Sequence, residues 1–277
     1  MKIYFCFLLL LIFNTGLFPQ TIEVNSDSSN KIPSFKDDVN SFYNTGVKLI
    51  SAPSDFDRKD WITFGSVAAL TSAAFIFDEE NREFWQRNKT KTLNDISEVG
   101  RIYGEISYAA ILSGSLYLGG KIFNSKDVSV TGRMLIEGLL YAGLTTTIIK
   151  FTTGRSRPYM NEGNFNFNFF KTTNDYLSFP SGHSTVAFTL SSILSQRINN
   201  TYASVGLYSL AILTLWQRMY SDNHWLSDVI LGASIGYFIG KAVVKFDDNS
   251  KSNSENNSVL ANGFSQIIPI FSFNYSF

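Results

Sequence analysis

"GLLYAGLTTTII", residues 138–149, is the stretch on which the fold turns. It has no proline and no Asp, Glu, Lys or Arg, and it mixes Leu and Ile with Ala, Gly and Thr. It lacks the strict two-residue alternation of a half-buried strand. Small residues set among large ones let helix backbones approach closely. "SVAALTSAAFIF", residues 66–77, has the same character. Together with the apolar segments at 62–77, 108–123, 134–149, 185–194, 203–216 and 226–244, these stretches predict an all-α protein, a bundle of about six core helices. Most of the segments are shorter than the roughly 20 residues a bilayer crossing requires; only the last is comfortably long. The expectation is a compact bundle partly embedded in, or lying against, a membrane.

The whole chain fits that setting. Its 277 residues suffice for one sizeable core. Lys+Arg and Asp+Glu are both 23, so nothing marks a nucleic-acid partner. Charged residues are 17%, below the usual quarter or so, while Phe alone counts 25. The beginning, "MKIYFCFLLLLIFNTGLFPQ", has a basic start and a short apolar run, the layout of an export signal over residues 1–20; an uncleaved anchor is the alternative. Cys6, the only cysteine, lies within it, so a processed chain would hold neither disulfides nor thiolate metal sites. Residues 21–60 read as a polar linker with an amphipathic helix around 39–50, and 61–246 as the helical domain. A polar low-complexity linker follows at 247–263, and then a strand-like tail at 264–277, where Phe271, Phe273, Tyr275 and Phe277 alternate with polar residues. An exported protein of the cell envelope is expected, periplasmic and membrane-associated.

Working outward, the opening stretch runs into "KFTTGRSRP", residues 150–158. Lys150, Arg155 and Arg157 crowd the end of an apolar helix, and Gly154 and Pro158 open it into a loop able to wrap a small tetrahedral anion. Guanidinium groups match phosphate oxygens through their planar fork of donors. In "SFPSGHSTVAF", Ser181 is a candidate N-cap, and a Ser181–Gly182 turn lets backbone amides approach an anion beside His183. In "QRMYSDNHWLSD", His224 and Asp228 are four apart at the start of the last apolar segment. With Ser221 or Asp222 as cap, His224 would lie in the helix's first turn. An aspartate there can take one ring N–H and leave the other nitrogen as nucleophile or base. Arg218 precedes the histidine by six positions. Each piece alone is an ordinary helix end; both histidines of the chain and three helix-borne cations in such places point to one catalytic pocket.

Lys150…Arg157-Pro158, then Pro180-Ser181-Gly182-His183, then Arg218…His224…Asp228 resemble the three-part signature of the phosphatidic acid phosphatase type 2 / vanadium haloperoxidase superfamily. Gln217 stands where that family usually has serine. Order and spacings match, over roughly residues 60–245 with the helical framework. The resemblance implies a helical, metal-free phosphatase without a cofactor, acting on a phosphate monoester or diphosphate, foremost of a lipid. It implies that His224 attacks phosphorus to form a phosphohistidine, Asp228 orients it, and His183 protonates the leaving oxygen and then activates water. Lys150, Arg157, Arg218, Ser181 and Gly182 would bind the phosphate. Arg155 is left between a contact behind the site or to the substrate headgroup and a plain surface position. Within the same chemistry the alternative is a soluble periplasmic acid phosphatase of broad specificity. Vanadate-dependent peroxidation and a non-catalytic envelope role are further alternatives. Oligomeric state is left open.

Overall fold

A computed structural model describes residues 32–267, with side chains to residue 249. The described residues form eight α-helices and no strand, so the all-α expectation holds. Most helix starts are written in the sequence. Ser34 and Asp37 form a capping box for α1 (Phe35–Ser51), and Asp57 and Asp60 do the same for α2 (Arg58–Arg87). Thr90 caps α3 (Lys91–Tyr103), and Asn200 caps α7 (Thr201–Tyr220). Between α3 and α7 lie α4 (Ile106–Ile122), α5 (Lys126–Thr153) and α6 (Gly182–Ile198); α8 (Leu226–Ile267) comes last. Gly154 ends α5 with φ +57°, and a Cβ there would fall 1.7 Å from the Asn168 carbonyl oxygen, so only glycine fits.

The centre of the bundle is α5, α6 and α8, whose Met134, Leu135, Leu139, Leu190, Ile193 and Val243 are buried together. α8 meets α6 along Gly232, Gly236 and Gly240, one residue per turn. A Cβ on Gly232 or Gly236 would lie 2.4 Å from Ser181 O or 2.3 Å from Thr185 O. The backbones therefore touch, as small-residue seams allow. About 25 Å from Lys150 by helix rise, Arg133 of α5 is ion-paired with Asp38, Glu137 and Asp247, tying α1 and α8 to the far part of α5.

Three expectations change. Arg58–Arg87, Lys126–Thr153 and 226–249 are all long and apolar enough to cross a membrane, not the last alone. The helices run past their apolar cores into polar turns, which a count of apolar residues does not register. Residues 247–263, read as a linker, continue α8, as do 264–267 of the strand-like tail. Their Ser, Asn and Lys contain no proline to stop a helix already propagating. Residues 268–277, with the alternating aromatics, and the signal-like 1–20 lie outside the described residues. His224 precedes α8 rather than occupying its first turn, because Asp222 takes φ +63° and a turn intervenes before Leu226.

Candidate active site

Three chain segments deliver the site, each from the end of a helix. The α5 end supplies Lys150, whose Nζ donates to the carbonyl of Leu177, with Ser178 O at 3.4 Å. The following loop supplies Arg157. Its Nε donates to Asn174 O at 2.9 Å, its Nη2 to Asn174 Oδ1 at 2.8 Å and its Nη1 to Asn223 Oδ1 at 3.3 Å. The α6 start supplies Ser181, buried as the N-cap, and beside it Gly182 and His183. Ser184 N donates to the Ser181 hydroxyl at 3.4 Å, and the amides of Gly182 and His183, with no carbonyl four residues back to bond, are donors for an anion. The α7 end supplies Arg218, buried, with Nε lacking a partner and Nη1 donating to Gln217 Oε1 at 3.2 Å. Arg218 O accepts the amides of Asn223 and His224, so this arginine also shapes the turn that carries the nucleophile candidate.

The electrostatics show the groups to be neighbours. Burial and then the Arg157 charge push Arg218 down to about 10. Burial first, then Arg218, pushes His183 down to about 4, with Glu105 acting in the other direction. Its Nε2 stands 3.3 Å from Glu105 Oε2. His224 is held well below its ordinary value, chiefly by burial, with Lys150 and Arg157 adding to it against the Asp228 hydrogen bond. Both imidazoles are therefore neutral at neutral pH while sitting within reach of cations. Cations held down by burial and by one another, despite the nearby Glu105 and Asp228, suit an anionic guest.

Behind His224 lies a buried chain of charges. Asp228 Oδ2 is 3.4 Å from His224 Nδ1, longer than an ordinary hydrogen bond, and accepts from the Trp225 amide at 2.8 Å and from the Ser178 hydroxyl. Asp228 Oδ1 accepts from Arg155 Nη1 at 2.6 Å. Arg155 is wholly buried; its Nη2 reaches Asp78 Oδ2 at 2.7 Å, and Asp78 accepts from the amide and hydroxyl of Ser227 at 2.9 and 2.7 Å. Phe75, with its ring 4.2 Å from the guanidinium, and Trp225 at 5.5 Å close over it. Arg155 is thus neither a surface residue nor a headgroup contact; it holds two carboxylates apart and in place.

Among the described residues, Lys150, Arg157, Ser181, Gly182, His183, Arg218, His224 and Asp228 all come to this one end of the bundle. Sequence reasoning missed Asp78 and Glu105. Neither sits in a patterned stretch, and only the folded chain brings Asp78 to Asp228. A cavity of about 220 Å³ begins at Lys150, Gly182 and His183 and runs between α5 and α6 past Ala142 and Val186 to Leu139. Ile106, Leu139, Ala142 and Val186 line it with Thr146, Thr147, Thr185 and Thr189, a mostly apolar surface that can take a hydrocarbon portion of a guest whose anionic end lies at the cations.

Residues 132–252 match the PAP2 superfamily. Lipid A 1-phosphatase of Porphyromonas gingivalis is 30% identical over 112 residues, 40% of this chain and 21% of that protein. Lipid A 4'-phosphatase of the same organism is 27% identical over 120 residues, 42% of this chain and 50% of that one. Lipid A 1-phosphatase of Rhizobium etli is 32% identical over 114 residues, 39% of this chain and 47% of that one. The chain thus spans between about a fifth and half of the length of these curated relatives. The crystal structure of Aquifex aeolicus LpxE gives a TM-score of 0.48 at 21% identity, covering 61% of this chain and 95% of that one.

Proposed function

We propose that this chain, whose residues 132–252 match the PAP2 superfamily, is a metal-independent phosphatase acting on a phosphate monoester or diphosphate carried by a lipid. The observation that carries the reading is His224 with Asp228 behind its Nδ1, within electrostatic reach of Lys150 and Arg157. In the proposed reaction Asp228 keeps the proton on Nδ1, leaving the Nε2 lone pair to attack phosphorus. The N–P bond forms as the P–O bond to the leaving group breaks, and His183 relays the proton brought by the monoanionic phosphate ester to the departing oxygen. The ring of His224 becomes cationic, and its contact to Asp228 shortens as the charge appears. Water then attacks phosphorus and yields a proton to His183. The N–P bond breaks, inorganic phosphate leaves with the proton that His183 took from water, and both imidazoles return to their starting state.

Lys150, Arg157, Arg218 and the α6 amides would hold the phosphoryl oxygens throughout. Phosphoryl transfer is largely positioning and charge stabilisation, so fixed cations can do the work. The carboxylates nearest the histidine are bonded to Arg155, which leaves them unsuited to coordinate a cation. A lipid is favoured over a small ester by the apolar cavity leading away from Lys150 and His183. The names of the curated relatives make phosphorylated lipid A one substrate to test beside phosphatidic acid.

The test is turnover by the purified full chain in detergent with EDTA, using a chromogenic phosphate ester, short-chain phosphatidic acid and lipid A. Phosphate release is expected on a lipid substrate, and His224→Ala should lose at least about 10³-fold in rate. Quenching in base should trap a phosphoenzyme that acid destroys, the signature of phosphohistidine. Retention of most activity by His224→Ala, or an acid-stable phosphoenzyme, refutes the assignment.

A further inference from the structure

The loop after α5 is built inside out. In "NFNFNFF", residues 164–170, Asn164 and Phe167 turn toward the protein, while Phe165, Phe169 and Phe170 stay exposed. Asn164 O accepts Nε and Nη2 of Arg155 at 2.9 and 2.6 Å, its amide donates to Glu79 Oε1 at 3.1 Å, and its side chain donates to Phe75 O at 2.7 Å. Asn166 O accepts the Ser156 amide at 3.0 Å, Asn168 N donates to Gly154 O at 2.8 Å, and Phe170 N donates to Phe151 O at 2.9 Å. The backbone is pinned, so the exposure of its phenylalanines is not the exposure of a slack loop. Phe165, Phe169 and Phe170 are nonetheless 67%, 66% and 75% exposed.

What surrounds them decides what covers them. Phe165 stacks on Phe75 of α2 with centroids 5.6 Å apart, and Phe170 is bonded to Phe151 of α5. α2 and α5 are two of the three helices of membrane-crossing length, and near these contacts they expose Ile76, Phe77, Ile148 and Phe151. The aromatic loop therefore continues the apolar surface of α5 at its active-site end and of α2 where its apolar run stops at Phe77. In water, a fixed patch of this kind would be left without a partner. At the headgroup–acyl boundary it is at home, since aromatic and aliphatic side chains bury a short distance into that layer.

We infer that residues 164–170 are a rigid membrane foot, which enters the acyl edge of the bilayer beside α2 and α5 and sets the height of the catalytic pocket at the headgroup phosphates. The same loop carries Arg155 and Arg157, so its seating in lipid is transmitted to the anion site without a hinge. The consequence for substrate rests on the phosphatase reading; the placement in lipid does not.

The placement is tested without catalysis. In a Cys6→Ser background, Phe169→Cys labelled with the dye NBD, and Lys91→Cys as a polar control, are reconstituted as full chains in phosphatidylcholine–phosphatidylglycerol nanodiscs. The label at 169 should emit to the blue of the control, be quenched by lipids brominated high on the acyl chain, and be protected from aqueous iodide. Iodide quenching equal to that of the control overturns the inference, including the case in which a protein partner rather than lipid covers the loop in the cell. The combined Phe165→Ser, Phe169→Ser, Phe170→Ser chain gives a second reading. Its rate on phosphatidic acid in vesicles should fall at least tenfold with the rate on a soluble ester unchanged; equal loss on both overturns the inference.

Discussion

At the scale of single residues, the proposed chemistry makes a definite statement about pH. His224 must be neutral to attack, and burial with its cationic neighbours holds it well below its ordinary value. Falling pH therefore leaves the nucleophile intact through 6.5. His183, down to about 4 in the free protein, enters the reaction unprotonated at neutral pH, so the proton for the leaving group arrives with the substrate. A phosphate monoester gives up that proton near pH 6. On a soluble ester, kcat/KM should then decline above about pH 6 and persist below it, with any acid limb from His224 lying well under 6.5. An acid limb centred on 6.5 would contradict this. Asp78 is the residue to probe next, because it acts only through Arg155 and Asp228. Asp78→Asn keeps the volume and one acceptor, and should lower kcat about tenfold or more with little change in KM, as small misplacements of a reacting group do. A change confined to KM would show that Asp78 does not position His224. Arg155→Ala is a harsher change: two buried carboxylates lose their shared cation, at a cost of about 3–5 kcal/mol in stability.

At the scale of elements, the site depends on how closely α8 lies on α6. His183 starts one of these helices, and Asp228 is in the first turn of the other. Ser181 N donates to Asp228 O at 2.9 Å, so the two starts are bonded directly. The glycine seam makes that possible. Gly236→Leu would place a branched side chain where Thr185 O and Thr189 N stand 2.3 and 2.9 Å from a Cβ. The helices must separate, and the expected outcome is a lower melting temperature together with loss of turnover by at least about 10²-fold. Gly206→Leu on α7, where a Cβ meets nothing within 4 Å, is the control and should be close to silent. Thermal unfolding in detergent and a soluble-ester assay read both. The helices themselves were legible in the sequence from their composition and their caps, Ser181 among them. Their lengths were not, because polar turns at each end extend α2 and α5 beyond the apolar segments that announce them.

At the scale of the whole molecule, three helices of spanning length and a pinned aromatic loop describe a membrane-associated protein with its candidate pocket at one end of the bundle. The Arg133 cluster anchors α1 far along α5 from that pocket. What the sequence determined by itself was local: apolar stretches rich in small residues, capping residues, a glycine that ends α5, and three short motifs whose residue types suit a phosphoryl group. These are properties of neighbours along the chain, and neighbours along the chain interact whatever the fold. Only the tertiary structure decided that Arg155 faces inward between Asp78 and Asp228, that Glu105 meets His183, and that Asn164 and Phe167 face inward while Phe165, Phe169 and Phe170 stay exposed. Each of those choices depends on which distant element supplies the hydrogen-bond partner or the apolar cover, and that is settled by packing between residues 73 to 89 positions apart rather than by any pattern within the chain.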